Sequence, residues 1–154
     1  MRTFTVLFGL LVLAGCAQTG PAGPTLPMKL RFEIEDYEDN GPALGITGRL
    51  ELVIDPNGRA FAATRRKVFT DFERTDPLTR EQLVELVSRV EAWTSKGGEL
   101  PTSPKPYGVV VYGEKKAMWD KDKALSPELQ ELVKFLVSIP PTLHPVWRGT
   151  KRSS

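Results

Sequence analysis

The chain has one cysteine and one histidine in 154 residues. A single thiol cannot close an intrachain disulfide, so the fold must be held by its core alone. A single imidazole excludes a two-histidine metal set, and no H-E-x-x-H run occurs. That histidine, His144, follows a double proline in a terminal segment and reads as a surface or packing residue. Charge of one sign is also missing. Lys plus Arg number 21 against 19 acidic residues, a formal charge of +2, which argues against a strongly basic nucleic-acid binder. No G-x-S-x-G elbow is present. Gly41, Gly45 and Gly48 precede a strand instead of leading from one into a helix, so they read as loop residues and not as a phosphate cradle. There is no internal repeat. Nothing here implies a cofactor, a resident metal or an enzyme.

Long apolar runs are scarce too. The longest, Phe4 to Gly15, has twelve residues. As a helix it spans about 18 Å, whereas a bilayer core needs roughly 30 Å. Met1 and Arg2 put positive charge before it, the arrangement of a secretory signal. It is followed by the only cysteine, in Leu13-Ala14-Gly15-Cys16. This stretch resembles the lipobox of bacterial lipoproteins. The resemblance implies a diacylglyceryl group on the Cys16 sulfur and cleavage just before Cys16. It also implies a protein anchored to the membrane through lipid without spanning it. Ala17, where an aspartate would retain such a protein at the inner membrane, implies the outer membrane facing the periplasm in a Gram-negative host. Loss of residues 1–15 removes one arginine and leaves cations and anions almost balanced.

The resulting division is a signal peptide over 1–15, then lipidated Cys16 and a Pro/Gly-rich tether over 16–27. A single globular domain over 28–141 and a loose tail over 142–154 complete it. Eleven tether residues, 17–27, span about 20 Å as flexible coil and about 36 Å at full stretch.

Within the domain, "MKLRFEIED" alternates. Met28, Leu30, Phe32 and Ile34 fall on one side and Lys29, Arg31, Glu33 and Glu35 on the other, which predicts a half-buried strand over 28–36. "DYEDNGPALG" reads as a loop. "GRLELVIDPNGRAFAATRRKVF" reads as a hairpin turning at Asp55-Pro56-Asn57-Gly58, with its returning arm over about 59–69. "LTREQLVELVSRVEAW" predicts a helix capped by Thr79 and Gln82, with Leu83, Leu86, Val87, Val90 and Trp93 as its stripe and Gly97-Gly98 at its end. "YGVVVY", apolar on both sides, predicts a central covered strand over 107–112. A turn at Gly113-Glu114-Lys115 leads to a partner strand over 116–120. "SPELQELVKFLVSIPP" predicts a second helix with Ser126 as N-cap and Pro127 at its first position. Leu129, Leu132, Val133, Leu136 and Val137 face inward from it. The order β-ββ-α-ββ-α predicts an α+β fold, an antiparallel sheet of about five strands with two amphipathic helices packed on one face.

This outline also resembles emfourin-type inhibitors of thermolysin-like metalloproteases and other small envelope domains. The likeness is carried by the "MKLRFEIE" strand, the "LTREQLVELVSRVEAW" helix, the "YGVVVYGEKKAMWD" hairpin and the "LSPELQELVKFLVSI" helix. It implies the fold and, as an alternative function, protease inhibition, with no inhibitory residue assigned. The first expectation is a membrane-anchored, non-enzymatic module of the cell envelope with a protein partner. Three further features are weighed as solvated or packed surface. They are the acidic run Glu33, Glu35, Asp36, Glu38, Asp39; the basic run Arg65-Arg66-Lys67; and Trp119 and Trp147 as markers of a binding surface. An enzyme built on Glu33 or Asp36 would require at least two acids converging in a pocket.

Overall fold

The computed structural model describes residues 23–39, 46–65, 72–96 and 100–146. Among these described residues the fold is α+β with an antiparallel sheet and two helices. The sheet has seven strands, not about five: β1 Leu30–Asp39, β2 Ile46–Ile54, β3 Arg59–Arg65, β4 Phe72–Pro77, β5 Gly108–Tyr112, β6 Lys115–Trp119 and β7 Pro145–Val146. Their order across the sheet is β6-β5-β1-β2-β3-β4-β7. Helix α1, Arg80–Ser95, carries the chain from β4 to β5, on the far side of β1. Helix α2, Pro127–Ser138, carries it back from β6 toward β7, through a 3-10 turn at Pro140–Thr142.

Alternation decides which side is covered. Leu30 and Phe32 lie opposite Ile54 and Leu52 of β2 and opposite Tyr112 and Val110 of β5. Ala60 and Ala62 extend the same rows into β3, and Ala117 extends them into β6. All these side chains are buried. They form one core with Leu83, Leu86, Val90 and Trp93 of α1 and Leu129, Leu132 and Leu136 of α2. Both amphipathic stripes read from the sequence thus face the same layer. The caps also form as expected. Thr79 Oγ1 accepts from the Gln82 N–H at 3.2 Å, and the Gln82 side chain accepts from the Thr79 N–H at 2.9 Å. Ser126 caps α2, with Pro127 in its first turn.

Three parts of the sheet depart from expectation. β1 does not stop at Asp36 but continues to Asp39 through a bulge, in which Glu35 and Asp36 share the space opposite Arg49. Asp36 takes a φ of 54°, a conformation that Asp tolerates better than most residues. The extra residue shifts the alternation by one and returns Tyr37 to the core. Beyond β3 the chain makes a further strand, β4, whose inward residue is Arg74. It is 2 % exposed, and its guanidinium donates to the Pro140 carbonyl at 2.8 Å. A charged inward residue is what hides β4 from an apolar-alternation reading. The third departure is β5, which is not central: it lies one strand from the β6 edge. Its Val109 and Val111 are only half-buried, so it is covered on one face.

The ends of the domain differ as well. Leu26, inside the segment read as tether, is 2 % exposed and belongs to the core. Leu143 is buried in the segment read as tail. The Thr75 N–H donates to the His144 carbonyl at 3.0 Å, which docks β7 on β4.

Turn and edge chemistry complete the frame. Gly58 holds a φ of 80° after Asp55-Pro56-Asn57, and its N–H donates to the Asp55 carbonyl at 2.8 Å. The outer edge of β6 is met by the proline-rich loop, where the Met118 N–H donates to the Pro101 carbonyl at 2.9 Å. Covering an edge in this way removes a template for strand addition. In the cross-strand pair Gly108–Trp119, the indole lies directly over the glycine, and a Cβ there would overlap the Trp119 ring.

Gly108→Ala must therefore push a buried ring out of place. We expect a loss of about 1–3 kcal/mol in urea-unfolding free energy. Val109→Ala, on the open side of the same strand, should cost about 1 kcal/mol or less. Equal losses at the two positions would contradict this packing.

Candidate functional site

The side of the sheet away from the helices has no covering layer among the described residues. Its rows follow from the register. One row runs Met118, Val109, Glu33, Glu51, Ala63, Glu73; the next runs Lys116, Val111, Arg31, Val53, Phe61, Thr75. Glu33 and Glu51 are direct cross-strand partners, a like-charge pairing that is unfavourable on its own. Arginines from adjoining positions offset it. Arg49 binds Glu33 and reaches Glu35 at 3.5 Å, Arg31 reaches Glu33 at 3.4 Å, and Arg65 holds Glu51 at 3.0 Å. The hydrogen bond that Arg49 donates to Glu33 raises its guanidinium above its ordinary value, against the opposing effect of burial. A hollow of about 270 Å³ opens here between Arg31, Glu33, Arg49, Val109, Val111 and Lys116. Each such exposed pair contributes only about 0–1 kcal/mol to stability. The lattice chiefly gives this face a fixed pattern of charge around half-exposed Val53, Phe61, Val109, Val111 and Met118.

A second surface lies along the outward side of α1 and the first turn of α2. Val84, 50 % exposed, and Ala92 sit there among Arg80, Glu81, Glu85 and Glu128. Arg89 spans the helix pair, binding Glu85 at 2.6 Å and Glu131 at 3.2 Å, with its guanidinium 5.5 Å from the Phe135 ring centre. Lys96 binds Glu128, and Lys134 binds Glu131 at 2.7 Å. These cations hold the Glu128 and Glu131 carboxyls below the ordinary range, chiefly through Lys96 and Lys134 respectively.

The acidic run is split by the strand and its bulge. Glu33 and Glu35 face Arg49, while Asp36 turns to Lys121 at 2.7 Å. Lys121 in turn lies 5.6 Å from the Tyr107 ring centre. Glu35, Asp36 and Glu38 line a hollow of about 340 Å³ with Tyr107, Val137 and Pro141. Glu33 and Asp36, the pair an acid-based enzyme would need, are engaged by different cations, Glu33 by Arg31 of β1 and Arg49 of β2 and Asp36 by Lys121 in the turn after β6. Among the described residues no group of three or more His, Cys, Asp and Glu could hold a metal ion. The Asp39 side chain lies outside what is described.

His144 is exposed, its side chain 85 % accessible and 3.6 Å from Asp76. Trp93 and Trp119 are core residues, so Trp119 marks no surface. Gly48 sits in β2 opposite Tyr37 and against the Arg65 carbonyl, a packing position. Cys16, Gly41, Gly45, Arg66, Lys67, Gly97, Gly98 and Trp147 lie outside the described residues. Sequence reasoning missed Ser103, which is buried in the proline-rich loop. Its hydroxyl bonds Asp120 and accepts from the Lys105 N–H at 3.2 Å, stapling that loop to the end of β6. It also missed Arg89 as the bridge between helices. The i,i+4 spacing from Glu85 was a visible signal, but Glu131 lies 42 residues away.

No protein family, curated protein or solved structure matches this chain.

Because the folded-state values of Glu128 and Glu131 are lowered, their pairing contributes stability above the unfolded carboxylate value, about 4.3. That contribution is lost as pH falls through the lowered folded values. The double variant E128Q/E131Q should therefore show a shallower fall in Tm between about pH 6 and pH 3 than the parent. Parallel curves would remove these carboxylates from the acid response.

Proposed function

We propose that this chain is a lipid-anchored lipoprotein of the bacterial cell envelope whose globular part is a non-enzymatic interaction module. The observation that carries the reading is Leu13-Ala14-Gly15-Cys16, placed directly after a charged start and an apolar run too short to cross a bilayer. Nine residues, 17–25, then separate Cys16 from buried Leu26. A chain of nine residues spans at most about 30 Å, so the domain works within about its own diameter of the membrane. Two or three acyl chains give stable anchoring where one is marginal. With Ala17 after the cysteine, the anchored body faces the periplasm from the outer membrane where the host has one.

The interaction reading draws on the two surfaces described above. Both combine half-exposed apolar side chains with charges of both signs, a mixture that suits a protein partner better than the uniformly basic surface nucleic acid requires.

Intact mass spectrometry of the native product tests the anchor. The expected mature chain starts at Cys16 and carries a diacylglyceryl group, and Cys16→Ala moves the protein from the membrane fraction to the soluble one. A free thiol at Cys16, or a different mature terminus, would overturn the proposal.

A further inference from the structure

The place where the tether joins the fold is set by Leu26 and the start of β1. Met28 lies against Gly113 of the β5–β6 turn, and Lys29 reaches Asp55 of the β2–β3 turn at 3.1 Å. The chain from Cys16 therefore arrives at one end of the sheet, the end made by these two turns. That end has a distinct surface. Lys29, Arg31, Arg59, Lys115 and Lys116 are all exposed there, against Asp55, Asp76 and Glu114. Met28 is 44 % exposed, one of three large hydrophobic side chains so exposed among the described residues. The carboxylates Glu35 and Asp36, in the bulge, and Glu38, beyond it, sit toward the other end of β1.

We propose that the end of the sheet where β1 begins rests on an anionic membrane surface. Met28 enters the interface, and Lys29, Arg31, Arg59, Lys115 and Lys116 lie over the headgroups. The inference deepens the anchoring reading and rests on it. The short span from Cys16 keeps this end within reach of the bilayer, so resting there is an intramolecular step with a high effective concentration. Each cation near an anionic surface then favours contact by roughly five-fold, and salt screens the effect. At the other end Arg49 and Lys121 are taken up by Glu35 and Asp36, so the pull on the cations where β1 begins sets the strands upright on the membrane.

The test uses the lipidated protein in vesicles. Cys16 is the only cysteine, so with its sulfur acylated Glu114→Cys or Glu38→Cys offers one thiol for a fluorophore. Vesicles carry headgroup-nitroxide lipid in either phosphatidylglycerol–phosphatidylcholine or phosphatidylcholine alone. We expect strong quenching at position 114 and little at position 38 in the anionic vesicles. The difference should fall in phosphatidylcholine, in about 0.5 M salt, and in K115E/K116E, where reversing two cations lowers the resting population ratio at least roughly twenty-five-fold. Equal quenching at both positions of the anchored protein, or a difference indifferent to lipid charge and to K115E/K116E, overturns this proposal alone. A Cys16 that takes the dye shows that no lipid is attached and overturns the anchoring reading together with it.

Discussion

The pairing of β1 with β5 is the constraint on which the rest of the structure depends. The chain otherwise falls into two local pieces, a meander of β1 to β4 and a hairpin of β5 and β6. Five residue pairs from Leu30–Tyr112 to Ile34–Gly108 join them, across more than seventy residues of sequence. Closing so long a loop costs entropy before any contact offsets it. The seam is stabilised by what lies over it: Phe32, Val110 and Tyr112 beneath the stripes of α1 and α2. It is tightened by Gly108, which lets Trp119 lie flat where any larger residue would hold it off. The two helices are the connections that this seam requires. One crosses the sheet to reach β5 and the other returns to the opposite edge, so both cover the same face, and among the described residues no layer covers the other.

What was legible in the sequence is what local chemistry decides. Thr79 with Gln82, Ser126 with Pro127, and Asp55-Pro56-Asn57-Gly58 fix their helix starts and their turn through bonds within four residues. The inward rows of β1, β2 and β3 follow from simple alternation. What was not legible depends on partners far away. β4 puts Arg74 inward, which is tolerable because the Pro140 carbonyl, sixty-six residues on, accepts from it. β7 has two residues and exists only through its pairing with β4. The bulge at Glu35 and Asp36 hides the last part of β1 by reversing its phase. Val109 and Val111 read as covered because nothing within "YGVVVY" says how many layers pack on a sheet. The surfaces were legible to the same extent: the sequence placed the charges of β1 on one side, but Arg49, which binds Glu33 and Glu35, comes from β2, and Arg65 reaches Glu51 from β3.

The open face gains its character from a conflict that the register imposes. Glu33 opposite Glu51 would be unfavourable in isolation, and the row continues to Glu73. Arg31 and Arg49 offset Glu33, and Arg65 offsets Glu51. Val53, Phe61, Val109, Val111 and Met118 are half-buried among these charges, a setting in which long charged side chains can cover apolar neighbours. Glu33 is shared between Arg31 and Arg49, so an incoming cation can replace one arginine there while the other stays. That lowers the desolvation cost of binding, which otherwise weighs heavily on charged interfaces.

On the proposed anchoring these features fit one geometry. If β1 starts at the membrane, the strands stand along the membrane normal. The open face and the outer side of α1 then look sideways, parallel to the bilayer, on opposite sides of the same layer pair. Neither surface has to be lifted from the membrane to meet another protein in the same leaflet, and both stay at the height set by nine tether residues. A longer tether would let the body tumble and lower the effective concentration of either surface toward such a neighbour. The early burial of Leu26 shortens the proposed tether by two residues relative to the segment's composition, and on that anchoring it would turn a swivel into a mount with a defined end toward the lipid.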